Sequence, residues 1–233
     1  MKRTNKKIAG IKWIFFDLDG TLADTVPALY KVYLDFLSNY KKEGTRKEFA
    51  ILNGYSLPEI ILFLKSKHNL KASKSYLLKS YRKNILNSYK KVRPMNNARI
   101  VLQNISRLNY KLMLVTSANR NIALNFISSQ GWQKYFHNYV FGNEVKKSKP
   151  DPTIYNLAVE KAGVAPKNVA VIEDSPNGIL SAKRAGILTI GLIDTNTKSD
   201  LLKAGADIII SELKNLLSFS FITISNLFLK NKS

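Results

Sequence analysis

Asp17 and Asp19 stand at the end of an apolar run, Ile11 to Phe16, and are followed at once by Gly20 and Thr21. Two carboxylates placed this way repel each other and lose hydration, so a purely structural role is hard to sustain. A divalent cation resolves the conflict. Glu173 and Asp174 follow a second apolar stretch, Asn168 to Ile172, in the same manner. Hard oxygen donors with positions left open suit Mg2+, which keeps waters and substrate oxygens in its shell. One strand-end aspartate is commonly a helix cap. Two acidic pairs in one chain are not explained that way, and magnesium is the expected cofactor.

Such pairs need a scaffold that gathers strand ends. The run Ile11 to Phe16 reads as a buried strand that opens into a turn at Gly20. Comparable runs lie at Lys111 to Thr116, Asn168 to Glu173, Ile187 to Gly191 and Asp207 to Ile210. Helical patterns at Ala98 to Leu108, Thr153 to Ala162 and Gly178 to Ala185 separate them. Alternation of this kind predicts an α/β protein with a Rossmann-like parallel sheet. Ligands of such sheets bind at the carboxyl ends of the strands, near the switch in strand order. That rule selects Asp17, Asp19, Thr116, Ser117, Glu173 and Asp174.

Between Pro27 and Lys91 the period changes. Apolar residues recur at helical spacing (Leu29, Val32, Tyr33, Phe36; then Ile60, Ile61, Leu64; then Leu77, Tyr81, Ile85), which predicts an all-helical insertion. Arg93-Pro94 marks the return to the alternating region.

The segment Asp17-Leu18-Asp19-Gly20-Thr21 resembles the first motif of the haloacid dehalogenase superfamily of phosphohydrolases. The other three motifs of that family have matches in the family's order. Thr116, in Leu114-Val115-Thr116-Ser117-Ala118, corresponds to the second. Lys149-Pro150-Asp151-Pro152 resembles the third, in preference to Lys146 or Lys147, and Glu173-Asp174-Ser175-Pro176-Asn177-Gly178 the fourth. The resemblance implies that Asp17 attacks phosphorus and becomes a transient aspartyl phosphate. It implies that Asp19 protonates the leaving oxygen and later takes a proton from water. Magnesium would be held by the Asp17 carboxylate, the Asp19 backbone carbonyl and the Asp174 carboxylate, with Glu173 outside them. Thr116, Lys149 and the backbone N–H groups of Leu18 and Ser117 would bind the phosphoryl oxygens. The resemblance also makes the insertion a mobile helical cap that closes over the site. The expected organisation is a core of residues 1–25 and 92–217, a cap of residues 26–91 and an extension of residues 218–233.

Electrostatics explains why so many partners are needed. A carboxylate about 4 Å from a phosphoryl dianion is repelled by about 2 kcal/mol in water and about 8 kcal/mol at an effective dielectric of 20. Magnesium and Lys149 together supply three positive charges against those three negative ones.

Family members of this type act on phosphoglycolate and sugar phosphates, and include β-phosphoglucomutase. A phosphatase of a small phosphorylated metabolite is the leading expectation, and a phosphomutase the alternative. The loop Asn53 to Glu59 resembles the family's cap loop but lacks the Arg-Glu-Asp run associated with the mutase. His68, Lys65 and Lys67 could reach substrate, although solvated surface positions suit them better. Asp19 argues against phosphonoacetaldehyde hydrolysis, for which the family loses this acid.

Composition bounds the rest. With 45% hydrophobic and 23% charged residues, the 233-residue chain is globular rather than disordered. It has no cysteine, which excludes disulfides, thiolate metal sites and cysteine nucleophiles. The basic start (Lys2, Arg3, Lys6, Lys7) is not followed by an uninterrupted apolar run, and no stretch reaches bilayer length. A cytoplasmic monomer is expected, with no membrane span. The net charge of +21 invites a third reading, a non-catalytic protein binding anions or nucleic acid. Lysines spread along the whole chain indicate compositional bias instead, so no specific nucleic-acid partner is expected. Phe219 to Leu229 is apolar. Packing against the core is the simplest role for it, with a partner or membrane-surface contact behind. Trp13 and Trp132 read as core residues.

Overall fold

A computed structural model describes residues 10–218. The apolar Phe219 to Leu229 segment lies outside the described residues.

Strand β1 (Trp13–Phe16) leads into four helices, α1 (Val26–Ser38), α2 (Arg46–Leu52), α3 (Leu57–Lys67) and α4 (Lys74–Tyr89). Alternation then sets in: α5 (Ala98–Arg107), β2 (Lys111–Thr116), α6 (Arg120–Ser129), β3 (Phe136–Phe141), α7 (Thr153–Ala162), β4 (Val169–Glu173), α8 (Pro176–Arg184), β5 (Leu188–Leu192), α9 (Lys198–Lys203) and β6 (Ile208–Ile210). The strands form one sheet in the order β3-β2-β1-β4-β5-β6, and every pairing is parallel.

The strands read as unbroken apolar runs because both faces of the sheet are covered. Ile14, Phe16, Leu112, Leu114 and Ile172 point to one side, where Val101, Leu102 and Ile105 of α5 meet them. Trp13, Phe15, Met113, Val115 and Val171 point to the other, against Ile154, Tyr155 and Ala158 of α7. Trp132 is buried in the first of these layers.

The strand β3 breaks the pattern and was not legible as a strand. Its sequence, Phe-His-Asn-Tyr-Val-Phe, carries polar residues because it is an edge strand. His137 is spent there: its Nδ1 accepts from Leu112 N at 3.3 Å, and its ring meets that of Trp13 edge-on.

The four-helix insert has its own core, built from the apolar stripes in the sequence: Val32, Tyr33, Phe36, Leu37, Ile61, Leu64, Leu77 and Tyr81. Thr45 caps α2 by accepting from Glu48 N at 3.1 Å. Ser56 and Glu59 form a capping box at the start of α3. Two chain segments join the insert to the sheet layer, and they run side by side. Asp24 N donates to Arg93 O at 3.0 Å, and Met95 N to Leu22 O at 2.9 Å. Among the described residues no helix is long and apolar enough to cross a membrane.

Candidate active site

The central position of β1 decides which side chains meet. Phe16 stands level with Leu114 of β2 on one side and Ile172 of β4 on the other. Asp17, Thr116 and Glu173 therefore emerge from three adjacent strand ends. Beyond Asp17 the chain turns tightly, with Leu18 O accepting from the backbone N–H groups of Leu22 and Ala23 at 2.9 Å each. Gly20 has φ +81°, and a Cβ there would lie 2.3 Å from Asp174 Oδ2. Only glycine lets the turn after β1 press against the second acidic pair.

Lys149 is 1% exposed and bridges the two pairs. Its Nζ donates to Asp17 Oδ1 at 2.6 Å and to Glu173 Oε1 at 2.5 Å. Glu173 Oε2 accepts from the backbone N and the hydroxyl of Ser175, both at 3.0 Å. Asp174 Oδ1 accepts from Thr21 Oγ1 at 2.8 Å. The other oxygen, Oδ2, is buried without any hydrogen-bond partner. Thr116 Oγ1 accepts from Ala118 N at 3.0 Å, which leaves its own proton for a ligand. The hydroxyl of Ser117 is committed elsewhere, donating to Gly54 O at 2.8 Å.

Three carboxylates, Asp17, Glu173 and Asp174, offer oxygens within 4.8 Å of one another. One buried ammonium, that of Lys149, faces these three negative charges. The remaining imbalance of two charges shows in the acidities. Burial pushes the Asp17 carboxyl up to about 8, with Glu173 and Asp19 adding to the rise and Lys149 opposing it. Burial, and then the charges of Glu173 and Asp17, hold Asp174 well above the usual carboxylate range. Asp19 is raised by burial and eased by the hydroxyls of Tyr89 and Thr25. Burial alone would lower Lys149, but Asp17 and Glu173 outweigh it and hold the ammonium well above its ordinary value. A divalent cation fits the observed deficit, the hard oxygen donors and the unpartnered Asp174 Oδ2.

A cavity of about 470 Å³ lies above these residues, within the range of small-molecule sites. Asp17, Asp19, Ser117 and Lys149 line its floor. The loop Asn53 to Ser56, the start of α3 and Tyr81 and Tyr89 of α4 line its roof. The roof is fastened at three points. Gly54 O holds Ser117, Asn53 O accepts from Asn177 Nδ2 at 2.7 Å, and Glu59 accepts from the Ser148 hydroxyl.

Thus the structure gathers Asp17, Asp19, Thr116, Ser117, Lys149, Glu173 and Asp174 around one strand-end cleft. Lys146 and Lys147 are exposed. The candidate substrate contacts in the insert lie elsewhere: Lys67 and His68 bind Glu48, and Lys65 donates to Leu70 O and Ala72 O. Sequence reasoning missed Tyr89, whose hydroxyl donates to Asp19 Oδ1. The signal was present in the stripe Tyr81, Ile85, Tyr89, which carries its last member to the end of α4. Ser148, beside Lys149, was also missed, and Asn177, within the fourth motif, had no role assigned, because their partners come from the insert.

A family model described as haloacid dehalogenase-like hydrolase matches residues 14–192. A phosphorylated carbohydrates phosphatase from Thermotoga maritima is 34% identical over 199 residues, 83% of this chain and 91% of that protein. A phosphoglycolate phosphatase from Neisseria gonorrhoeae is 26% identical over 197 residues, 81% of this chain and 82% of that protein. A solved β-phosphoglucomutase from Clostridium difficile shares the fold, with TM-score 0.82 and 21% identity over 94% of this chain and 99% of that one.

Proposed function

The chain belongs to the haloacid dehalogenase-like hydrolases, and from that premise we propose that it hydrolyses a small phosphorylated metabolite through an aspartyl phosphate, with magnesium as cofactor. It is a phosphoric monoester hydrolase, and its substrate is a phosphorylated alcohol of the size of phosphoglycolate or a sugar phosphate. The observation that carries the reading is the bridge from Lys149 to both Asp17 and Glu173, beside a buried Asp174 oxygen that has no partner. Structural acids are normally satisfied; these are arranged for additional charges.

In the proposed reaction Asp17 attacks phosphorus as the bond to the leaving oxygen breaks, and a proton on Asp19 passes to that oxygen. Water then attacks the aspartyl phosphate, giving its proton to Asp19, and the Asp17 carboxylate and inorganic phosphate are released. Lys149, the Thr116 hydroxyl and the backbone N–H groups of Leu18 and Ser117 hold the phosphoryl oxygens through both steps. The Asp17 and Asp174 carboxylates and the Asp19 carbonyl would hold magnesium, with Glu173 orienting Lys149 behind them. When bound, the cation supplies charge neutralisation between nucleophile and phosphoryl group. The helical insert is the cap that closes the cavity and excludes water.

The test is magnesium-dependent phosphate release from a panel of phosphometabolites, comparing wild type with Asp17→Asn. Equal inactivity of both proteins on every compound sinks the reading. An isomerised sugar phosphate with little free phosphate would replace the hydrolase with a mutase.

A further inference from the structure

Tyr89 is the last residue of α4, four positions before the crossing at Arg93 that returns the chain to the sheet layer. Its hydroxyl donates to Asp19 Oδ1 across 70 positions of sequence. The ring is fixed from the other side: it meets Phe126 of α6 edge-on, with centroids 6.4 Å apart, and packs against the core of the sheet layer. The side chain of Asp19 is therefore held from the second of the two segments that join the insert to the core.

We propose that Tyr89 is a positioning residue for the proton-transfer steps, holding the Asp19 carboxyl by Oδ1 so that Oδ2 carries the proton. This rests on the phosphatase reading and on Asp19 as its acid and base. A carboxyl oxygen that already accepts a hydrogen bond is the less basic of the two, so the tyrosine hydroxyl favours the other oxygen as the one that carries the proton. A carboxyl free to rotate spends part of its time with the proton turned away from the leaving oxygen, and misplacement by about 1 Å is enough to cost about a hundredfold in rate. The same hold serves the second step, when Oδ2 takes a proton from the attacking water.

The experiment compares Tyr89→Phe with wild type on two phosphomonoesters, with magnesium present. One is an alkyl phosphate, glycerol 3-phosphate, whose leaving oxygen must be protonated. The other is 4-nitrophenyl phosphate, whose leaving group departs as an anion without help. Because kcat/KM reports only the steps up to the first irreversible one, it isolates formation of the aspartyl phosphate from its hydrolysis. Phenylalanine retains the ring packing against Phe126, and a thermal melt within about 2 °C of wild type establishes that the fold is kept. The expected result is a fall in kcat/KM of about tenfold or more for the alkyl ester, with a much smaller fall for the nitrophenyl ester. Equal falls on both esters, or no fall on either, overturn the positioning role and leave the phosphatase reading standing. Wild type that releases phosphate from neither ester, nor from the wider panel, overturns the phosphatase reading itself.

Discussion

Glu48 in the helical insert and Asp17, Glu173 and Asp174 in the sheet layer are all nearly inaccessible carboxylates, yet they are balanced differently. Glu48 accepts from Tyr33 at 2.8 Å and pairs with His68 at 2.8 Å and Lys67 at 2.9 Å. Burial works against its charge, but His68, Lys67 and Tyr33 outweigh it and hold the carboxyl below its usual range. Asp17 and Asp174 have moved in the opposite direction, because burial penalises their charge and the one buried lysine pairs only with Asp17 and Glu173. A buried charge with its partners in place costs a fold little. An unsatisfied one costs stability and is retained where a ligand completes it.

The largest effect expected from that contrast is catalytic. Asp17→Asn should lower phosphate release by at least about four orders of magnitude, since a nucleophile has no substitute. Steady-state assay against the best panel substrate checks it, and residual activity within tenfold of wild type removes Asp17 from the mechanism.

Lys149→Met should be the most damaging substitution for stability in the absence of metal. It leaves Asp17 and Glu173 buried beside one another without their counter-ion, a loss of about 3–5 kcal/mol by denaturant titration. A loss under about 1 kcal/mol would show that the acids take up protons once the lysine is gone, the direction in which burial already pushes Asp17.

Magnesium at about a hundredfold excess over its dissociation constant should stabilise wild type by about 2.7 kcal/mol. Asp174→Asn should abolish that shift and, by deleting a buried charge whose Oδ2 has no partner, raise the metal-free melting temperature by about 2–4 °C. Destabilisation of the metal-free variant would instead place Asp174 with the satisfied acids such as Glu48.

The smallest effect concerns the insert. Glu48→Gln should cost about 1–3 kcal/mol at neutral pH by leaving its partners poorly matched. The folded carboxyl is depressed, so its stabilisation is complete above the unfolded value of 4.5 and is lost as pH falls through the lower folded value. Unfolding free energies of wild type and variant should therefore converge on acidification below about 4.5. A gap that persists at the lowest pH would mean that packing, rather than charge, holds this corner of the insert.

Much of the sheet layer was legible in the sequence because its signals are local. Five of the six strands announced themselves as apolar runs, because strands covered on both faces of a parallel sheet are apolar along nearly their whole length. Residues at their ends, Asp17, Thr116 and Glu173, could be selected by the rule for strand termini alone. The edge strand β3 escaped because His137 and Asn138 are admissible on a strand with one open side. The helices α6 and α9 were likewise not read.

The sequence by itself determined the alternating core, the helical insert and the identity of the acids, since hydrophobic period and motif order are properties of neighbours along the chain. Only the tertiary structure decided that Lys149 bridges both acidic pairs, that Asp174 keeps a bare oxygen, and that Tyr89 grips Asp19. Those contacts span 24 to 132 positions for the lysine and 70 for the tyrosine. No local pattern encodes them, because burial and hydrogen bonding between distant segments are fixed by packing of the sheet, the helices and the insert together.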